Sequence, residues 1–90
     1  MPKLSEVEIQ RLRFQAEFLL EQGNLDETEA IYDDAIAFFE QALDIYVQLD
    51  DVEGQIVANL KVAMVHQRQS AFKEAAALCR KASTVIRVGT

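Results

Sequence analysis

The sequence predicts an all-α chain of antiparallel helical hairpins, with about four helices in up-down order. Three observations carry that prediction. Residues that break helices are nearly absent, since Gly23, Gly54, Gly89 and Pro2 are the whole set. Apolar side chains make up 50% of the chain, and they recur at helical rather than alternating spacing. Start and stop signals fall between the apolar stretches, leaving room only for short turns.

The first helix opens at Ser5, which forms a capping box with Glu8, while Leu4 and Ile9 occupy the staple positions around it. Val7, Leu12, Phe14, Phe18 and Leu19 follow as its apolar stripe. Gly23 can take the left-handed conformation that ends a helix. Asn24 can then cap the next, with Asp26, Glu27 and Glu29 placing negative charge in the first turn.

A second helix reads from about Leu25 to Leu49, because nothing inside that span interrupts it. At 1.5 Å per residue it would be about 37 Å long. Its apolar residues (Ile31, Tyr32, Ala35, Ile36, Phe38, Phe39, Ala42, Leu43, Ile45, Tyr46, Val47, Leu49) wrap most of its circumference, so it is expected to be buried on more than one side. A break near Ile31 is the alternative. Asp50, Asp51 and Gly54 mark the following turn. A third helix runs to about Gln69, with Ile56, Val57, Leu60, Ala63 and Met64 on one face. Ser70 and Ala71 make the last turn. A fourth helix, from about Phe72 to Arg87, is expected to bury Phe72, Ala75, Ala76, Cys79, Ala82, Val85 and Ile86.

The bulk properties set the class. Ninety residues suit one domain, 1–90, whose own core is small. The net charge of -6 argues against a basic nucleic-acid surface. Its signs are sorted: Phe14 to Leu60 holds twelve acidic residues and no Lys or Arg, whereas six basic residues and one acid follow from Lys61 onward. A lone cysteine, Cys79, excludes an internal disulfide. Met1 to Gln10 is polar and lacks the apolar region of a signal peptide, and no run approaches the roughly 20 apolar residues that a span needs. The expected location is cytoplasmic, with no membrane contact.

Self-comparison yields a repeat. Tyr32-Asp-Asp-Ala-Ile-Ala-Phe-Phe-Glu-Gln-Ala42 aligns with Phe72-Lys-Glu-Ala-Ala-Ala-Leu-Cys-Arg-Lys-Ala82, matching Ala35 with Ala75, Phe39 with Cys79 and Ala42 with Ala82. These residues resemble the second-helix pattern of tetratricopeptide repeat (TPR) proteins. A second register, from Phe14 and Ala16 through Gly23 to Leu25, resembles a TPR first helix and its turn. The resemblance spans Leu12 to Ile86. It implies a right-handed TPR-like stack with a long second helix, acting as an adaptor or scaffold. It also implies a groove lined by first helices, mapping here to Gln10, Arg13, Glu17 and Leu20 and to Val57, Leu60, Lys61, Met64, Gln67 and Arg68. The expected partner is a protein or peptide. Two readings stay open for Leu60 and Met64, groove or core. Two repeats fall short of the three or more that a stable stack uses, so a homodimer is the second functional expectation.

Chemistry has little to stand on. His66 is the only histidine, at a position where the family packs an aromatic, and is expected in the core or at its boundary. Cys79 reads as a small apolar filler. Asp33-Asp34 and Asp50-Asp51 are adjacent on a helix or at a cap and so do not face each other. No metal, cofactor or enzymatic role is expected.

Overall fold

The computed structural model describes residues 4–89, with side chains described over 4–80. Three α-helices follow one another: α1 (Glu6–Thr28), α2 (Tyr32–Gln48) and α3 (Val52–Gly89), with no strand among the described residues. The chain is all-α, as its sequence predicts. It has three helices rather than about four, and the difference arises at two turn positions.

α1 starts where the capping box places it, with the Ser5 hydroxyl accepting a hydrogen bond from the Glu8 N–H at 3.2 Å. It does not stop at Gly23 but continues to Thr28. Its end is a Schellman motif: the Ile31 N–H donates to the Asp26 carbonyl at 2.8 Å and the Ala30 N–H to the Glu27 carbonyl at 3.0 Å. Ala30 takes the left-handed conformation this requires, with φ of 62°. The same motif closes α2, where Asp51 N–H reaches Tyr46 and Asp50 N–H reaches Val47, Asp50 having φ of 54°. Neither left-handed residue is glycine, so the first turn lacks a glycine signal, and it falls at the break near Ile31 that the sequence offers as the alternative. The chain therefore breaks at Ala30–Ile31, and the single helix from 25 to 49 does not form.

Gly23 serves a different purpose. A Cβ at that position would lie 2.5 Å from Phe39 Cε1, so the missing side chain lets the Phe39 ring of α2 lie against the α1 backbone. Gly54 does the same for α3 beneath the Tyr46 ring.

The second difference is at Ser70–Ala71. Neither residue forbids helical geometry, no glycine or proline is nearby, and α3 runs straight through as one 38-residue helix. At 1.5 Å per residue that is about 57 Å. The chain measures 71 × 18 × 17 Å, with a radius of gyration of 19.0 Å, where a compact chain of this length would have about 12 Å. The expected fourth helix is the distal half of α3.

α2 lies between α1 and α3 and packs against both, so it is buried on two sides. One core cluster joins Ala16 and Leu19 of α1, Ala42, Ile45 and Tyr46 of α2, and Ala58 of α3. A second joins Ala35 and Phe39 with Val65, edged by Leu20, Tyr32, Ile36 and Val62. The small residues Ala16, Ala35, Ala42 and Ala58 are wholly buried, which lets the helix axes approach closely.

Several expected core residues are instead exposed. On α1, Val7, Phe14 and Phe18 point to solvent, while Leu12, Ala16 and Leu19 face α2. On α3 the inward face is Ala58, Val62 and Val65, not Ile56, Val57, Leu60, Ala63 and Met64. Phe72, Ala75 and Cys79 are exposed and Ala76 is half-buried, because no further helix folds back over them. His66 is exposed as well. Ala82, Val85 and Ile86 fall outside the residues whose side chains are described.

Candidate interaction surface

α3 carries two apolar stripes. One, through Ala58, Val62 and Val65, is held against α2. The other, Val57, Leu60 and Met64, sits at i, i+3 and i+7 and therefore forms one continuous strip on a different side of the helix. It faces solvent, with Leu60 58% and Met64 48% exposed. The same strip continues at the next turns through the exposed Ala71 and Leu78. Of the two readings left open by the sequence, these side chains lie outside the chain's own core.

The seam beside that strip is polar and joins α3 to α1. Arg13 Nη1 lies 3.2 Å from Asp51 Oδ2, and Lys61 Nζ donates to Asn24 Oδ1 at 2.9 Å. Arg68 Nη1 lies 3.0 Å from Glu27 Oε1. Lys61 is also 5.6 Å from the centre of the Phe39 ring, a cation–π arrangement. All three basic residues of the anticipated groove are thus engaged within the chain. Exposed ion pairs of this kind contribute about 0–1 kcal/mol each, so they orient α1 and α3 more than they hold them. The surface they leave for a ligand is chiefly apolar.

The remaining anticipated residues divide. Arg13 and Glu17 line a shallow hollow on α1 together with Glu6, Ile9, Gln10 and Phe14. Leu20 is half-buried and packs against both core clusters, so it belongs to the interior rather than to the groove. Gln10, Gln67 and Arg68 are exposed.

A feature the sequence reading misassigned is the outer face of α1. Val7, Phe14, Phe18 and Leu25 are all exposed and follow one another at intervals of seven, four and seven residues, a heptad stripe. The spacing was visible, but Leu12 and Leu19 blurred it into one broad apolar face.

The Tyr46 hydroxyl is shifted upward from its usual 10.0, first by burial and then by the negative charges of Glu17 and Asp51, with Arg13 acting in the opposite direction. The phenol stays neutral across the physiological range. Among the described residues no group of three or more His, Cys, Asp or Glu side chains is gathered to hold a metal ion. No helix among them is long and apolar enough to cross a membrane. Comparison with protein-family models, with curated proteins and with solved structures finds no match.

Proposed function

We propose that this chain is a protein-binding module, an adaptor or scaffold built as a TPR-like array of antiparallel helices, whose recognition surface is the outward strip of α3. One observation carries this reading: Val57, Leu60 and Met64 form a continuous apolar strip that the chain's own helices leave uncovered. Apolar side chains scattered singly over a surface need no explanation, but a strip at helical spacing offers a docking face for another helix or an extended segment. Lys61 and Arg68 flank it on α3, each engaged with α1, while Arg13 and Glu17 line the neighbouring hollow of α1. Because the bases are already paired, a ligand gains its affinity from apolar burial rather than from charge.

The test is site-specific photocrosslinking in the cell of origin. A benzophenone side chain at Leu60 should capture a protein partner, while the same probe at exposed Glu40 on α2 should not. Absence of any adduct at Leu60 under conditions where the chain is folded would sink the reading.

A further inference from the structure

The outer face of α1 carries an order that exposure alone does not explain. Val7, Phe14, Phe18 and Leu25 occupy a and d positions of a heptad pattern. Two charged residues, Arg11 and Glu21, fill the remaining a and d positions within that span. The face lies opposite Ala16 and Gly23, which α1 turns toward α2, so the chain's own helices leave it open. Phe14 is 72% exposed and Phe18 59%. Among the described residues neither Arg11 nor Glu21 takes part in an ion pair or a side-chain hydrogen bond. Arg13 and Arg68, by contrast, are both paired within the chain.

The stripe reads the same in both directions. Counted from the level of Ala16, Phe14 and Phe18 stand two residues away, Arg11 and Glu21 five, and Val7 and Leu25 nine. Each of these pairs joins an a position to a d position, as the layers of an antiparallel coiled coil do. When a second α1 is laid antiparallel with the two-fold axis at that level, Phe14 meets Phe18 of the second copy. Val7 meets its Leu25, and Arg11 meets its Glu21. The layers then match as aromatic on aromatic, aliphatic on aliphatic and cation on anion, each occurring twice by symmetry.

We propose that α1 is the seam of an isologous dimer, and that the occupant of this face is the antiparallel α1 of a second copy. Charge selects this arrangement over its neighbours. A parallel pair would set Arg11 against Arg11 and Glu21 against Glu21. Sliding the antiparallel pair by one heptad would put either Arg11 against the ring of Phe14 or Glu21 against the ring of Phe18, with no opposite charge in reach. A polar residue inside an apolar seam fixes register and orientation in this way, at some cost in stability. On the flanks, Gln15 is uncharged, while Glu17 comes beside its own copy near the axis, with Arg13 in the same hollow. Two opposite-charge layers against one like-charge flank leave the balance attractive. The seam spans the 23 residues of α1, about 34 Å. It lies apart from the Val57, Leu60 and Met64 strip of α3 and goes beyond the reading of that strip as a docking face.

Three measurements test it. Sedimentation equilibrium up to high micromolar concentration should give twice the chain mass of 10.2 kDa. Arg11→Glu and Glu21→Arg each set like charges in two layers and should weaken dimerisation by about tenfold or more. Helical content should stay unchanged, because both residues are exposed. Mixed together, the two variants should associate one to one, since each supplies the charge that the other lacks. In a Cys79→Ser background, Val7→Cys mixed with Leu25→Cys should give a mixed disulfide on mild oxidation. Val7→Cys alone should not, because position 7 lies 18 residues, or about 27 Å, from its own copy. A native chain that stays monomeric, charge variants that do not restore each other, or a disulfide in Val7→Cys alone would each overturn the proposal. A monomer whose Leu60 probe captures a protein would remove the seam and leave the binding-module reading standing. A dimer whose Leu60 probe captures nothing would remove that reading and leave the seam.

Discussion

The proximal and distal halves of this molecule are built from similar residues and end in different states. Phe39 and Phe72 show the contrast most directly. They are the same side chain, each beside an alanine-rich helical segment, yet Phe39 is 0% exposed and Phe72 62%. What separates them is topology. Phe39 lies in the helix that has a neighbour on both sides and rests in a slot opened by Gly23, whereas Phe72 touches one ring and then solvent. Apolar character puts a residue at an interface, but the turns decide whether the interface lies inside the chain.

The sharpest way to break that comparison is to truncate both rings at a concentration where the chain is single. Phe39→Ala should cost about 3–5 kcal/mol, the range for emptying an aromatic core position, and in a domain of 90 residues that approaches the whole stability. Phe72→Ala should cost no more than about 1 kcal/mol, the worth of one edge-on aromatic pair. Urea denaturation followed by circular dichroism reads both. Equal losses would mean that Phe72 is covered within the monomer and that α3 bends at Ser70.

A smaller effect is expected at the slot that receives Phe39. Gly23→Ala improves helix propensity by about 1 kcal/mol, and on a free helix face it would stabilise. Here the new Cβ would stand 2.5, 2.7 and 2.8 Å from three atoms of the buried ring. The ring has no free end to swing away, so overpacking of about 1–3 kcal/mol should prevail and the melting temperature should fall. A rise would show that α1 and α2 are not pressed together at this crossing.

The turns themselves offer a gain. Ala30 holds a left-handed φ of 62°, a conformation costing a residue with a Cβ about 1 kcal/mol and glycine nothing. Ala30→Gly should raise stability by about that amount. Asp50→Gly, at φ of 54°, should gain less, since aspartate tolerates this region better than alanine. If both were neutral, the Schellman geometry of the two turns would be in question.

How much of this could be read from the residues follows the same division. Helical class and the α1 start at Ser5 are local matters, set by capping and periodicity, and both were legible. The turn at Asp50–Asp51 was legible too, because Asp51 also caps α3 by accepting from the Gly54 N–H at 3.0 Å. The turn at Ala30 was legible only as the alternative, a break near Ile31, since alanine carries no local signal for a left-handed conformation and Gly23, which does, is needed for packing. The choice of face on α3 was also hidden. Its two apolar stripes are equivalent in sequence, and Ala58 with Val65 was selected over Leu60 with Met64 only by the room that α2 leaves. For the binding surface, the residues Val57, Leu60 and Met64 were legible as apolar, but the pairing of Lys61 and Arg68 with Asn24 and Glu27 was not, because it joins helices distant in the chain.

The last prediction concerns pH and again separates the packed half from the exposed one. Tyr46 is buried between α1 and α3, and burial together with Glu17 and Asp51 raises its pKa above 10.0. A group whose folded pKa exceeds its unfolded value contributes stability that is fully present below the unfolded pKa and lost as pH rises through the folded one. The fold should therefore hold steady through neutral pH and weaken only above about pH 10, where the unfolded phenol can ionise and the folded one resists. Tyr46→Phe should flatten this alkaline decline while leaving the unfolding midpoint at neutral pH nearly unchanged, because among the described residues no side chain hydrogen-bonds the hydroxyl. The readout is the urea midpoint measured from pH 7 to 11 in both proteins. A decline of equal steepness in the phenylalanine variant would mean that burial of Tyr46 in the packed half is not the source of the alkaline sensitivity.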